Sequence, residues 1–189
     1  IIGPATDEVV LKADLKIEWK MKSLSELGSL SRGKSKHRPR NDPNLYGGKY
    51  PFIQTADVKN ANYYINNYSQ AYNELGLRQS KLWDKGTLCI TIAANIAESA
   101  FLNFNACFPD SIVSFAPYKD LADARYVKYV FDNYKLEFQS RSKGATQDNL
   151  SVDKINSLKL PIPPFKYQVE IGELISKYDL LISKKSFPR

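Results

Sequence analysis

The chain has 189 residues, 43% of them hydrophobic and 12% aromatic, with a formal net charge of +7 and a pI near 9.2. That apolar content supports one packed domain and excludes global disorder, and the basic balance favours a polyanionic partner. No stretch nears the roughly 20 apolar residues that span a bilayer, and no signal peptide is visible, so no membrane partner and a cytoplasmic location are expected.

Residues 11–22, LKADLKIEWKMK, alternate strictly. Leu11, Ala13, Leu15, Ile17, Trp19 and Met21 share one parity, and Lys12, Asp14, Lys16, Glu18, Lys20 and Lys22 the other. A period of two predicts a strand with its apolar face on the core. A helical turn follows at Leu24–Leu27, stopped by Gly28. The run RGKSKHRPR (32–40) then packs five Lys and Arg residues and the only His into nine positions. The turn formers of NDPNLYGG extend it into a long surface loop over 33–49. YPFIQTADV (50–58) reads as a strand, NANYYINNYSQAY as irregular, and 73–83 as a short helical segment ending at Gly86. TLCITIA (87–93) reads as a buried strand, with SAFLNF (99–104) and SIVSFA (111–116) as further strands around an ACFPD turn.

Between 120 and 140 the period changes. Val127, Val130, Phe131, Tyr134 and Phe138 fall at spacings of three and four, the stripe of an amphipathic helix. A loop, RSKGATQDN (141–149), follows. Asn149 or Ser151 caps a short helix at 150–157. LKLPIP reads as an edge strand, because its prolines cannot donate to a ladder. In the last helix, Ile171 and Tyr178, Leu174 and Leu181, and Ile175 and Ile182 each stand seven apart. That is the repeat of a coiled-coil seam. A terminal helix docked on its own domain is the open alternative.

Catalytic signals are missing. Cys89 and Cys107 lack CxxC spacing and read as buried free thiols. One His and two Cys do not make a metal site. His37, the only imidazole, lies inside the basic loop, and no phosphate-binding glycine loop occurs. IPPF (162–165) has Ile162 where the tetrapeptide of amino-methyltransferases needs a polar grip, so it reads as a rigid lead-in to the helix. Pro109-Asp110 is followed by no Asp/Glu-x-Lys triplet, so Asp110 is expected to be a turn residue rather than a metal ligand.

The sequence therefore reads as a binder. Arg32, Lys34, Lys36, His37, Arg38 and Arg40, flanked by Tyr46, Tyr50, Tyr63 and Tyr64, suit phosphates. A second basic loop offers Arg141, Lys143, Gln147 and Asn149. Arg, Asn and Gln also bond base edges, and Gln54 is a further candidate for that role. A merely solvated basic loop is the alternative.

Four stretches in order match one family: IEWKMKSLSELGSLSRGKSK, GGKYPFIQTADV, LWDKGTLCITIAANIAESAFLNFNACFPDSIVSF and KGATQDNLSVDKINSLKLPIPPFKYQVEIGELISKYDLLI. Together they resemble the specificity subunits of type I restriction–modification systems. The most telling series is Lys143-Gly144-Ala145-Thr146-Gln147, Asn149-Leu150-Ser151, Pro161-Ile162-Pro163-Pro164, Gln168 and Ile171. The resemblance implies an α/β (α+β) fold: one target-recognition domain with a mixed sheet over 1–164, and a helix over 165–189 that begins a coiled-coil spacer. It implies double-stranded DNA and methyltransferase subunits as partners, with a second recognition domain or a second copy meeting the C-terminal helix. It implies no catalysis and no cofactor in this chain, since S-adenosylmethionine, Mg and ATP would belong to partner subunits. Family members carry two recognition domains and this chain one, which implies a half-subunit, a truncated product or an excised fragment. Two other readings stay open: the recognition part of a single-chain restriction–methylation enzyme, and an assembly module that no longer binds DNA.

Overall fold

The computed structural model describes residues 18–142 and 151–185. The chain runs β1 (Lys20–Ser23), α1 (Leu24–Leu27), β2 (Gly28–Arg32), a 3-10 turn at Pro43–Leu45, β3 (Tyr46–Phe52), α2 (Thr55–Lys59), β4 (Tyr64–Ile65) and β5 (Gln70–Tyr72). It continues through α3 (Glu74–Arg78), β6 (Leu88–Thr91), β7 (Ser99–Leu102), β8 (Ile112–Pro117), α4 (Ala124–Ser142), α5 (Val152–Asn156), β9 (Lys159–Ile162) and α6 (Phe165–Lys185).

A five-stranded sheet in the order β2-β8-β6-β7-β4 forms the centre. It is antiparallel except where β4 runs parallel to β7. Alternate residues feed two cores. Leu88, Ile90, Phe101, Val113 and Phe115 meet α1, α4, α5 and β9 on one side. Cys89, Ala100, Leu102 and Ile112 meet Ile53, Val58 and Phe108 on the other. Because both faces are covered, β6 and β7 are buried at every position, which is why TLCITIA reads as a continuous apolar run rather than an alternating one. A smaller cluster of Leu45, Phe52, Tyr72 and Cys107 lies under the β3–β5 pair, with the Phe52 and Tyr72 rings 4.2 Å apart. Both cysteines are free and buried, and burial pushes both thiols up.

Local chemistry sets the element ends. Ser23 caps α1: its N–H and its hydroxyl both donate to Glu26 Oε2 at 2.6 Å. Gly28 ends that turn in extended conformation as the first residue of β2. Asn73 Oδ1 accepts from Leu75 and Gly76 and starts α3, and Ser151 Oγ accepts from Lys154 and starts α5.

The structure corrects several boundaries. The 50–58 strand ends at Phe52, because the backbone N–H of Gln54 donates to Asp57 at 2.8 Å and turns TADVK into α2. The segment read as irregular contains β4 and β5, in which Ile65 and Tyr72 are buried, while its Asn residues, outside both strands, and Gln70 are exposed. The 73–83 helix is only Glu74–Arg78. The long loop closes at Tyr46, where β3 begins. The helix at 150–157 is Val152–Asn156.

The amphipathic strand is corrected in face as well as in length. Residues 11–17 lie outside the described residues, and β1 covers only Lys20–Ser23. Its register pairs Lys20 with Ile162, Met21 with Pro161 and Lys22 with Leu160. Directly opposed residues share a face, so the lysines lie on the side of the buried Leu160 and Ile162. Met21 points the other way, and it and Trp19 are more than half exposed.

Candidate nucleic-acid interface

The basic loop leaves β2 at Arg32 and is tied to the core at once. At Gly33 a Cβ would sit 2.2 Å from Pro109 O and 2.5 Å from Phe108 O, so the close approach of two chain segments requires glycine. Gly33 N–H donates to Ile112 O and Lys34 N–H to Phe108 O, both at 2.9 Å. Lys34 O accepts from Ser80 Oγ at 2.6 Å, and His37 N–H donates to Gln79 Oε1 at 3.0 Å. Ser35 is buried, with its hydroxyl 3.3 Å from the Tyr72 hydroxyl. Tyr46 OH then holds Arg40 O at 2.7 Å. The loop lies on the surface, as its composition predicts, but its backbone is fixed.

Its side chains divide into two groups. His37 Nε2 lies 2.8 Å from Asp42 Oδ2. The Asp42 carboxyl is held below its usual range, first by the Asn44 N–H and then by His37. Arg40 Nη2 meets Asp110 Oδ1 at 2.6 Å. Asp110 does sit in a turn, as expected, but it also binds a cation 70 positions away in sequence. The others face solvent more freely. Arg38 folds back to donate to Ser35 O and His37 O at 2.8 Å. Among the described residues no carboxylate pairs with Arg32, Lys34, Lys36 or Arg38, and of these only Lys34 is partly covered.

Beside the loop lies a cleft of about 290 Å³, lined by Arg40, Asn41, Tyr46, Gln54, Gln70 and Pro109 among others. Gln54 therefore joins the basic loop spatially, 14 positions downstream of Arg40. Gln70 belongs to the same cleft and was missed in the sequence, where nothing marks it among the polar residues around it. Tyr50 instead donates to Glu74 at 2.7 Å. Tyr63 and Tyr64 line a different and larger cavity of about 670 Å³, together with Asn60, Asn66, Asn103 and Asp179. Arg141 lies in α4 rather than in a loop, because the helix runs on to Ser142. Its side chain, and Lys143, Gln147 and Asn149, lie outside the described residues.

Helix α6 has two faces. Gln168 is buried, and Ile171 packs on the main core. Gly172 lies so near α4 that a Cβ would meet Asp123 Oδ1 at 2.9 Å. Ile175 and Asp179 are half-buried, and burial raises the Asp179 carboxyl. Leu174, Tyr178 and Leu181 are each more than half exposed. The seven-residue repeat thus combines a docked face with an exposed apolar one; the Ile182 side chain lies outside the described residues.

A family model described as "Type I restriction modification DNA specificity domain" matches residues 16–186. The chain belongs to this specificity-domain family. Solved structures share the fold. The HsdS subunit from Thermoanaerobacter tengcongensis has a TM-score of 0.65 at 17% identity, over 93% of this chain and 42% of that one. The S subunit of the type I restriction–modification system from M. genitalium has a TM-score of 0.66 at 16% identity, over 92% of this chain and 42% of that one. A third chain, from work on complex assembly and conformational transition of the type I system, gives 0.65 at 17% over 92% and 41%. This specificity domain therefore spans about two fifths of the length of those chains. The family match and the mixed sheet with a C-terminal helix agree with the fold that the resemblance implies.

Proposed function

We propose that this chain recognises one half of a bipartite duplex DNA site as the specificity component of a type I restriction–modification complex. The observation that carries the reading is the basic loop. Its backbone is bonded to the core at Gly33, Lys34 and His37, while Arg32 and Lys36 reach solvent and Arg38, bonded to Ser35 O and His37 O, is exposed, with no acid paired to any of the three among the described residues. A fixed backbone with free cations can neutralise a phosphate track without first being ordered. If Arg32, Lys34, Lys36 and Arg38 all meet phosphates, log affinity falls against log salt with a slope of about −3.6.

Residues 1–164 act as the recognition domain, and 165–189 open the spacer. The chain makes and breaks no bonds itself. Methyltransferase subunits supply S-adenosylmethionine and methylate adenine, and Mg and ATP serve the partners that cleave. The exposed Leu174, Tyr178 and Leu181 face supports docking of a partner helix, from a second recognition domain or a second copy. No described helix is long and apolar enough to cross a membrane. The cytoplasm is the compartment this proposal gives the complex.

Fluorescence anisotropy with a labelled duplex across a salt series tests DNA binding, and methylome sequencing of a host with and without the gene tests the complex. The expected result is salt-dependent duplex binding and a bipartite adenine motif that disappears with the gene. Duplex binding absent at low salt, or a methylome unchanged by deletion, overturns the reading.

A further inference from the structure

Two hydrogen-bonded side-chain pairs meet at the cleft beside the basic loop, and their free edges complement different bases; Arg40, Gln54 and Gln70 line the cleft, while Asp110 holds Arg40 without lining it. In the first, Arg40 Nη2 meets Asp110 Oδ1 at 2.6 Å, with side chains 45% and 41% exposed. Among the described residues this is the only bond its guanidinium makes, so the planar fork retains donors for a second acceptor pair. A carboxylate on one nitrogen orients the fork, and two parallel donors suit guanine O6 and N7 in the major groove. The same carboxylate cancels the charge of Arg40. That makes it a poorer phosphate anchor than Arg32 or Arg38.

In the second pair, Gln54 Nε2 donates to Gln70 Oε1 at 2.7 Å. Gln54 Oε1, which also faces the Asp57 N–H in the α2 capping box, keeps a lone pair to accept, and Gln70 Nε2 is left to donate. One acceptor beside one donor complements adenine N6 and N7. Exchanging both amide orientations presents the same kind of edge. Both pairs start from held backbone: Arg40 O is bonded by Tyr46 OH, and Gln54 N–H by Asp57. Arg40, Gln54 and Gln70 line one cleft of about 290 Å³, so both edges can meet one short stretch of duplex.

We propose that this cleft reads a guanine through Arg40, braced by Asp110, and a nearby adenine through the Gln54–Gln70 pair; the proposal rests on the DNA-recognition reading above. Asp110 then favours specificity over grip. It aligns Arg40 for a base edge and repels the phosphate that would otherwise capture it.

The test selects bound duplexes from a randomised pool with the full chain and its variants, and sequences them. The wild-type chain is expected to enrich a site with a guanine and an adenine within a few base pairs. Arg40→Ala relaxes the guanine alone and Gln70→Ala the adenine alone, each by about tenfold or more. Asp110→Asn weakens the guanine preference while raising affinity for unrelated duplex and steepening its salt dependence. Gln70→Glu leaves two acceptors and turns the adenine preference toward cytosine, whose N4 donates. A misfolded variant could not produce that switch. If the wild-type chain selects a site and all four variants select it with equal stringency, the cleft assignment is overturned and DNA recognition stands. If no chain enriches any sequence, both fall.

Discussion

Replacing Gln168 with leucine should loosen the joint between the domain and α6. Gln168 is 1% exposed. Its Oε1 accepts from the Asp123 N–H at 3.1 Å, and its Nε2 donates to Leu121 O at 3.1 Å and Pro163 O at 3.0 Å. One amide thus satisfies three backbone groups, two on the approach to α4 and one on the lead-in to α6. Gln168→Leu keeps the volume and the helix propensity but leaves those groups without their partner. A buried unsatisfied group costs about 1–3 kcal/mol. Leu121 is exposed and water can reach its carbonyl, so the expected loss is about 2–4 kcal/mol. For a chain of this size each kcal/mol lowers the midpoint by about 2–4 °C, which gives a fall of about 5–15 °C by calorimetry. Gln168→Glu makes the cause specific. Ionised, it sets a carboxylate oxygen against two carbonyls; protonated, it can donate again, so its deficit should shrink as pH falls. A Gln168→Leu midpoint within about 1 °C of wild type would refute the reasoning.

Gly33→Ala must push the loop root away from the 108–112 turn, since the new Cβ would sit 2.2 Å from Pro109 O. Denaturant unfolding should show a loss of about 1–3 kcal/mol, and duplex affinity should fall with it; full stability with unchanged binding counts against the close approach. The Glu26 carboxyl is lowered from 4.5 to about 2, chiefly by the Ser23 hydroxyl and N–H and then by Lys159. Its stabilising contribution is therefore present above pH 4.5 and lost as pH falls toward 2. A Glu26→Gln chain should show a shallower acid limb over that window in pH-dependent unfolding, and identical limbs would remove the effect. Leu174→Glu with Leu181→Glu should leave the isolated chain's stability within about 0.5 kcal/mol, since both side chains are exposed. Association with a second copy or a second recognition domain, read by size-exclusion chromatography with light scattering, should be lost; an unchanged assembly state would show that this face is not where the partner helix docks.

The sequence exposed what depends on local pattern. The Leu24–Leu27 turn, β6, the stripe of α4 from Val127 to Tyr134 and the start of α6 after Pro163-Pro164 follow from periodicity, caps and prolines; the Phe138 side chain lies outside the described residues. What it hid depends on pairing between distant segments. Alternation marks two faces of β1 but not which one meets the core; register with β9 decides that, and it put the lysines on the side of Leu160 and Ile162. Likewise RGKSKHRPR was visible as a charge run, but Arg40's partner lies 70 positions away, and Gln70 joins Gln54 only because β5 pairs with β3. Gln168 stood out only through the resemblance, and its three backbone bonds give it a structural role.

A basic run made only of free lysines and arginines would hold any polyanion about equally well, because phosphates are the same at every step of the duplex. Selectivity needs cations whose direction is fixed and whose attraction to phosphate is restrained. The loop contains both kinds. Arg32 and Lys36 reach outward unpaired among the described residues, whereas Arg40 is tied to Asp110 next to the Gln54–Gln70 amides. Gly33 sets this division by letting the root of the loop touch the 108–112 turn, the segment that carries Asp110. If the loop meets duplex DNA as proposed, grip and discrimination share one anchor, and a substitution at Gly33 should degrade both, whereas one at Asp110 should trade discrimination for grip.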